Sequence, residues 1–222
     1  MTDLTPTVRS RIKRLRERGA YDFDTIASIL DAGLLCHVGY IIDGHPYVTP
    51  TAYWRESGRV YWHGSSASRM LRTLEKGVDV CFTVSHLDGL VLARSGFNHS
   101  INYRSVMLFG RAHKIEGDGA KAQALEKFLE RMFPTRWQQL RPATTQEIKA
   151  TTVLGMAIEE GSAKVRTGWP HDDEDDHSWP VWAGVVPVHT VMQSPLPDER
   201  LAGAIGPPAY LADLSHLGLK AK

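Results

Sequence analysis

Two cysteines, Cys36 and Cys81, are all that the 222-residue sequence contains. A disulfide framework is therefore excluded, and both thiols, each inside an apolar strand-like run, are expected buried and free in a reducing compartment. Charge of one sign is equally scarce. Lys and Arg total 26 against 25 Asp and Glu, a formal net charge of +1, which leaves nucleic acid no electrostatic footprint. No run approaches the roughly 20 apolar residues of a membrane span. The charged N-terminal stretch is not followed by the apolar core of a signal sequence, so cytoplasm is the expected compartment. A Gly-x-Ser-x-Gly nucleophile elbow is missing, as is the Gly-x-Gly-x-x-Gly turn of a dinucleotide-binding fold.

What is present reads as an ordinary globular protein, 42% hydrophobic and 23% charged. No internal repeat or low-complexity linker breaks the chain, so one domain is expected over residues 1–222, with its core at about 20–190. Thr5-Pro6 signals a helix start, with Val8, Ile12 and Leu15 on one face and Gly19 closing it. Asp24 is a candidate cap for a second helix carrying Ile26, Ile29 and Leu30. The texture then turns to strands. Leu34–Ile42 and Tyr47–Trp54 flank Asp43-Gly44, a hairpin signal. Arg59–His63 follows, then a short helix over Ser68–Leu74. Val78–Ser85 and Leu90–Ser95 are expected as a hairpin through Asp88-Gly89, and Tyr103–Ile115 as one long strand.

Lys121–Met132 has the clearest helical stripe, Ala124, Leu125, Phe128, Leu129 and Met132. Thr144 and Glu147 stand at capping-box spacing. Val153–Ile158, Lys164–Arg166 and Val181–Val188 are further extended segments. Residues from about Pro195 onward form a tail without a clear period. Six or seven antiparallel strands with tight turns and peripheral helices predict a mainly β barrel or sandwich.

The segment Tyr61-Trp62-His63-Gly64-Ser65-Ser66-Ala67-Ser68-Arg69 runs from a strand through Gly and hydroxyls to a helix that begins near an arginine. Hydroxyl donors, backbone N–H groups and a guanidinium together suit a phosphate dianion. A helix cap on a surface turn is the plainer reading of the same residues. The acidic loop His171–His177 has metal-type side chains, but solvation is the simpler role for such a run, and no metal is expected there.

The order of motifs extends beyond that segment. Arg18-Gly19-Ala20-Tyr21-Asp22, Asp88-Gly89-Leu90-Val91-Leu92-Ala93-Arg94-Ser95, His99-Ser100, Asn102-Tyr103-Arg104-Ser105-Val106, Ser162-Ala163-Lys164-Val165-Arg166 and Pro180-Val181-Trp182-Ala183-Gly184-Val185 stand in sequence over roughly residues 15–190. Together with the His63–Arg69 segment they resemble the FMN-binding split barrels of the pyridoxamine 5′-phosphate oxidase-like superfamily, in particular its flavin-nucleotide-binding subgroup related to nitroimidazole-resistance proteins. The resemblance implies a six-stranded antiparallel Greek-key split β-barrel working as a homodimer, with FMN in grooves between the subunits.

Carried over by motif, the resemblance places Val48, Thr49, Pro50 and Thr51 along the isoalloxazine ring. It gives the phosphate and ribityl chain to His63, Gly64, Ser65, Ser68 and Arg69. Tyr103, Arg104 and Ser105 would reach the flavin of the partner subunit. Lys164, Arg166 and Trp182 would close the site, though Trp182 equally suits a core aromatic. The expected activity is FMN-dependent oxidation–reduction of a small planar substrate, with reduced nicotinamide as a candidate donor and no assigned catalytic acid or base. A module that stores or senses flavin, or binds haem through His99 or His113, is the alternative. The Arg-Leu-His-Asp-Arg type segment that closes the pyridoxamine 5′-phosphate oxidases is absent after Trp182, so turnover of pyridoxamine phosphate is not expected.

Overall fold

The computed structural model describes residues 2–201, 203 and 205–221. Its strands are β1 (Gly19–Ala20), β2 (Leu35–Ile42), β3 (His45–Glu56), β4 (Arg59–Ser65), β5 (Asp79–Leu92), β6 (Ser100–Arg111), β7 (His113–Lys114), β8 (Thr151–Ala157), β9 (Glu160–Arg166), β10 (Gly184–Pro187), β11 (Val191–Met192) and β12 (Lys220–Ala221). The helices are α1 (Phe23–Asp31), α2 (Arg69–Leu74), α3 (Asp118–Met132) and α4 (Thr145–Ala150). One ten-stranded sheet runs β1-β9-β6-β5-β2-β3-β4-β8-β7, with β10 also on β5. The mainly antiparallel half-barrel agrees with the expected split barrel. Seven long strands, one more than expected, form its body, and three short ones, β1, β7 and β10, complete the sheet of ten.

Alternation along β2, β5 and the middle of β6 decides what is inside. Val38, Phe82 and Leu108 are cross-strand neighbours on β2, β5 and β6. All three are fully buried, as are Trp62 and Val60 on β4. The neighbouring rows, Pro50–His37–Thr83–Met107 and Val48–Gly39–Cys81–Phe109, therefore face outward. Val48 is 68% exposed and Met107 43%. The Asp43-Gly44 turn has φ of +51° and +78°, the left-handed pair that a two-residue hairpin requires. Phe82 meets Tyr53 edge-on at 5.3 Å, and Tyr53 donates to the Leu30 carbonyl, tying α1 to the core.

Several sequence expectations are corrected. Residues 8–15 are not helical, and Val8 is exposed. The run Arg11 to Arg18 lacks a continuous buried face to stabilise a helix, and the segment instead lies along β9, where Arg9 and Thr7 hydrogen-bond Glu160. Asp22, not Asp24, caps α1, accepting from the Thr25 N–H. The Asp88-Gly89 pair is a bulge within the single strand β5, not a hairpin turn. Pairing with β6 shifts register between Leu87 and Gly89, and Arg104 grips Asp88 with two hydrogen bonds of 2.9 Å. The long strand expected over 103–115 breaks at buried Ala112, after which β7 pairs with β8. The capping box at Thr144 and Glu147 is present. The tail beyond Pro195 is not all loose, since Leu214 and Leu217 are buried. Cys36 is buried, and burial pushes its thiol up to about 12; Cys81 is half-buried and also free.

Candidate functional site

Strand β4 delivers the loop Ser65–Ser68 to the end of the sheet. The Ser66 N–H bonds the Ala150 carbonyl at 2.8 Å, the Ser68 N–H bonds the Ser65 carbonyl at 2.8 Å, and the Ser65 hydroxyl accepts from the Ala67 N–H at 3.2 Å. The Ser68 hydroxyl caps α2 by accepting from Leu71. Gly64 lets α2 approach, since a Cβ there would stand 3.1 Å from the Leu71 side chain. The plainer reading of this segment, a turn and a helix cap, is what the serines build, and Arg69 stands exposed at its rim.

The guanidinium of Arg69 lies 4.6 Å over the Tyr47 ring. Tyr47 stacks on Tyr40 at 5.7 Å, and the Tyr40 hydroxyl shares a hydrogen bond of 2.9 Å with that of Thr49. This column brings Arg69 to the Val48–Thr51 strand, two groups the sequence placed in one site. Val48 and Pro50 point outward; Thr49 and Thr51 point inward, the latter paired with buried Cys36.

Tyr103, Arg104 and Ser105 lie on β6, which β5 and β2 separate from β3. Three interstrand steps make roughly 14 Å. Within one chain these residues do not join the Arg69 group. The Ser105 hydroxyl bonds the Lys164 carbonyl at 3.3 Å, and the Lys164 ammonium reaches the Arg14 carbonyl. Arg166 is buried, donating to Asn102 and Trp169, with Nε unpartnered. Trp182 is 63% exposed and covers Gly184, so its core alternative does not hold in this chain.

His63 lies away from the phosphate-type loop. Its neighbours Trp62 and Gly64 face the core and α2, so alternation turns His63 to the other side of β4. There its ring meets Phe128 of α3 at 4.7 Å and Trp54 at 6.1 Å. The ring makes no hydrogen bond among the described residues, and Nδ1 is buried without a partner. Burial alone holds the imidazole below its ordinary pKa. Alongside lies an apolar groove of about 820 Å³ between α3 and α4, lined by Leu125, Phe128, Leu129, Trp137, Leu140 and Ile148. The stripe of α3 is half-buried instead of covered. The sequence missed this groove because a helix stripe reads the same whether protein or ligand covers it.

A family model described as pyridoxamine 5′-phosphate oxidase matches residues 22–165. The chain belongs to the pyridoxamine 5′-phosphate oxidase-like split-barrel family. Comparison with curated proteins gave no match. Among solved structures, the flavocytochrome Anf3 from Azotobacter vinelandii is 47% identical, with a TM-score of 0.90 over 94% of this chain and 97% of that chain. The FAD and heme binding protein from Mycobacterium smegmatis is 35% identical, with a TM-score of 0.84 over 87% of this chain and 95% of that one. A chain named for 5-nitroimidazole antibiotic resistance, from Bacteroides thetaiotaomicron, shares the fold at 23% identity, with a TM-score of 0.54 over 66% of this chain and 86% of its own.

Other expected features of this family member are plainly placed. In the acidic loop, Asp172 has its carboxylate against the Arg94 guanidinium and backbone N–H, at 2.9 and 2.8 Å. That contact ties the loop to the end of β5. No cluster of three or more His, Cys, Asp or Glu side chains suited to a bare metal ion occurs among the described residues. His99 and His113 are both exposed, with His99 bonded to the Ser95 carbonyl. No helix among the described residues is long and apolar enough to cross a membrane.

Proposed function

We propose that this chain is a redox protein that binds both flavin and haem. The observation that carries the reading is its 47% identity, over 94% of its length, to a flavocytochrome. The relative named for FAD and heme supports it independently. The flavin is FAD rather than the FMN expected from the sequence. That expectation came from the resemblance to FMN-binding split barrels; the relative named for FAD and heme shares this fold at 35% identity, which favours FAD here. A bound flavin supplies exchange of one or two electrons.

The chain's own residues fit that ligand at the Arg69 column. Arg69 gives a charged donor to a phosphate, and a guanidinium already resting on an aromatic ring loses little freedom on binding. Beside the column, β4 pairs with β3 only over Tyr53–Glu56, so the backbone edge of β3 at Val48–Thr51 is open to the polar rim of a planar ring system. Tyr103 and Ser105 complete the pocket from a twofold mate, since one chain holds them roughly 14 Å away. The outward strip with Val48, Ile41, Leu35 and Met107 exposed is the surface that such a homodimer covers.

Haem needs an axial donor side chain, apolar walls and a cationic rim for its carboxylates. The groove beside α3 offers apolar walls, with Arg141, itself paired with Glu147, among its lining residues, but no axial ligand among the described residues lines it. The reading is tested by expressing the full chain, recording its spectrum and extracting the flavin. Flavin bands with a Soret band, and FAD on chromatography, are expected. A purified chain that takes up neither cofactor on titration overturns it. Bleaching by reduced nicotinamide without oxygen then tests the electron donor.

A further inference from the structure

We infer that the groove between α3 and α4 receives the adenosine half of FAD, and that Arg72 meets the phosphate nearer to it. This assignment rests on the flavin part of the proposed function and adds the residues that set FAD apart from FMN.

An extended FAD presents, in order, a ring system, one phosphate, a second phosphate and adenosine. The chain presents partners in the same order. The open edge at Val48–Thr51 adjoins Tyr47, and the Arg69 guanidinium lies 4.6 Å over the Tyr47 ring. Arg72 follows three positions later on α2, at the spacing that makes helical side chains neighbours. Its Nε donates to the Ser66 carbonyl at 3.0 Å. The Arg72 guanidinium therefore lies back over the Ser65–Ser68 loop, with both terminal nitrogens uncommitted among the described residues. Neither arginine is paired with a carboxylate among those residues. Two guanidiniums at one loop suit the two linked anions of a pyrophosphate.

The same loop leads into the groove. The Ser66 N–H bonds the Ala150 carbonyl at 2.8 Å. Ser65 is the cross-strand partner of Thr151 at the start of β8, and Thr151 lines the groove. A ligand with its phosphates at the loop thus has the groove as its adjoining cavity. The cavities of about 580 and 410 Å³ are lined by ion pairs, Arg104 with Asp88 and Arg9 with Glu160, and neither reaches Thr151.

The groove walls suit a purine. Phe128 and Trp137 bring half-buried rings to it, and a nucleic base stacks on such faces. Gln138, also lining it, has a side-chain amide with no partner among the described residues, and an amide offers both a donor and an acceptor to the edge of a base. Arg141 and Glu147 neutralise each other, which fits an uncharged base. At about 820 Å³ the groove is within the range of pockets that enclose cofactors. FMN ends at its single phosphate and would leave both Arg72 and the groove unused.

The test is titration of flavin-free full-length protein with FAD, FMN and riboflavin, followed by flavin absorbance. The wild-type chain is expected to bind FAD at least about tenfold more tightly than FMN. Ala122→Trp, which fills the groove from α3, should weaken FAD by about tenfold or more and leave FMN within about twofold. Trp137→Ala, which removes a stacking face without adding bulk, and Arg72→Ala should each weaken FAD by about tenfold and spare FMN. Retained FMN binding in each variant reports the fold. If the wild-type chain binds no flavin, the flavin reading fails and this assignment with it. If it binds FMN as tightly as FAD, the flavin reading stands and the adenosine site is overturned. If it prefers FAD and both groove variants keep that preference, or lose FAD and FMN equally, the groove assignment alone is overturned.

Discussion

The Arg69 guanidinium sits 4.6 Å above the ring of Tyr47, which itself stacks on Tyr40. The cation is thus held at the end of an aromatic column, beside the Val48–Thr51 strand proposed to carry the flavin. A charged donor to a partly desolvated phosphate contributes about 1.5–3 kcal/mol. Arg69→Ala is therefore expected to weaken FAD and FMN by about ten- to a hundredfold. Riboflavin, with no phosphate, should bind both proteins alike. Equal weakening of all three ligands in a fluorescence titration would assign Arg69 to the fold instead.

Val48 and Met107 belong to adjacent outward rows of the sheet. A carboxylate placed there would be buried unpaired in a twofold interface, which costs several kcal/mol. Val48→Glu should convert the expected dimer to monomer in light scattering and weaken flavin binding with it. A variant that stays dimeric and keeps its flavin would remove this strip from the interface.

The burial of His63 predicts a direction of acid sensitivity. Its folded-state pKa lies below the ordinary value of 6.5, so the unfolded chain takes up the proton first. Stability from this site is complete above about pH 6.5 and is lost as pH falls toward the folded value. The cofactor-free protein should melt earlier at pH 5.5 than at pH 7.5, and His63→Phe should narrow that gap. An unchanged gap by calorimetry would place the acid sensitivity elsewhere.

Gly161 faces Leu108 across β9 and β6, and a Cβ there would lie 2.6 Å from the Met107 carbonyl oxygen. Gly161→Ala must push the two strands apart at the edge of the core. A loss of roughly 1–3 kcal/mol is expected from denaturant unfolding, against roughly 2–5 kcal/mol for Leu108→Ala, which leaves a cavity. Wild-type stability in Gly161→Ala would mean that the strands are less tightly apposed.

The barrel was legible because strands such as β2 and β5 alternate and the first hairpin turn carries its own signal, while β8, buried from Thr152 to Met156, showed itself only as an apolar run. Asp43-Gly44 made a hairpin as expected. Asp88-Gly89 did not, because the same residues serve a bulge when the flanking strands run on, and Arg104, sixteen positions later, decides between them. The failed N-terminal helix followed from the same kind of distant partner, Glu160 on β9. Of the site, Arg69 and the Val48–Thr51 strand were found together in space. His63 was read with the phosphate loop because sequence neighbours share a segment, while strand alternation sends it to the opposite face.

Both ends of the main sheet are two-residue strands, β1 and β7, and β7 carries Lys114. A short, charged rim offers almost no free backbone for another chain to zip onto. Self-association is thereby steered away from strand addition, which has no natural stopping point, and toward face-to-face contact, which ends at two. A chain that exposes this much aromatic and aliphatic surface can stay dispersed, provided that its edges are closed to fibril growth.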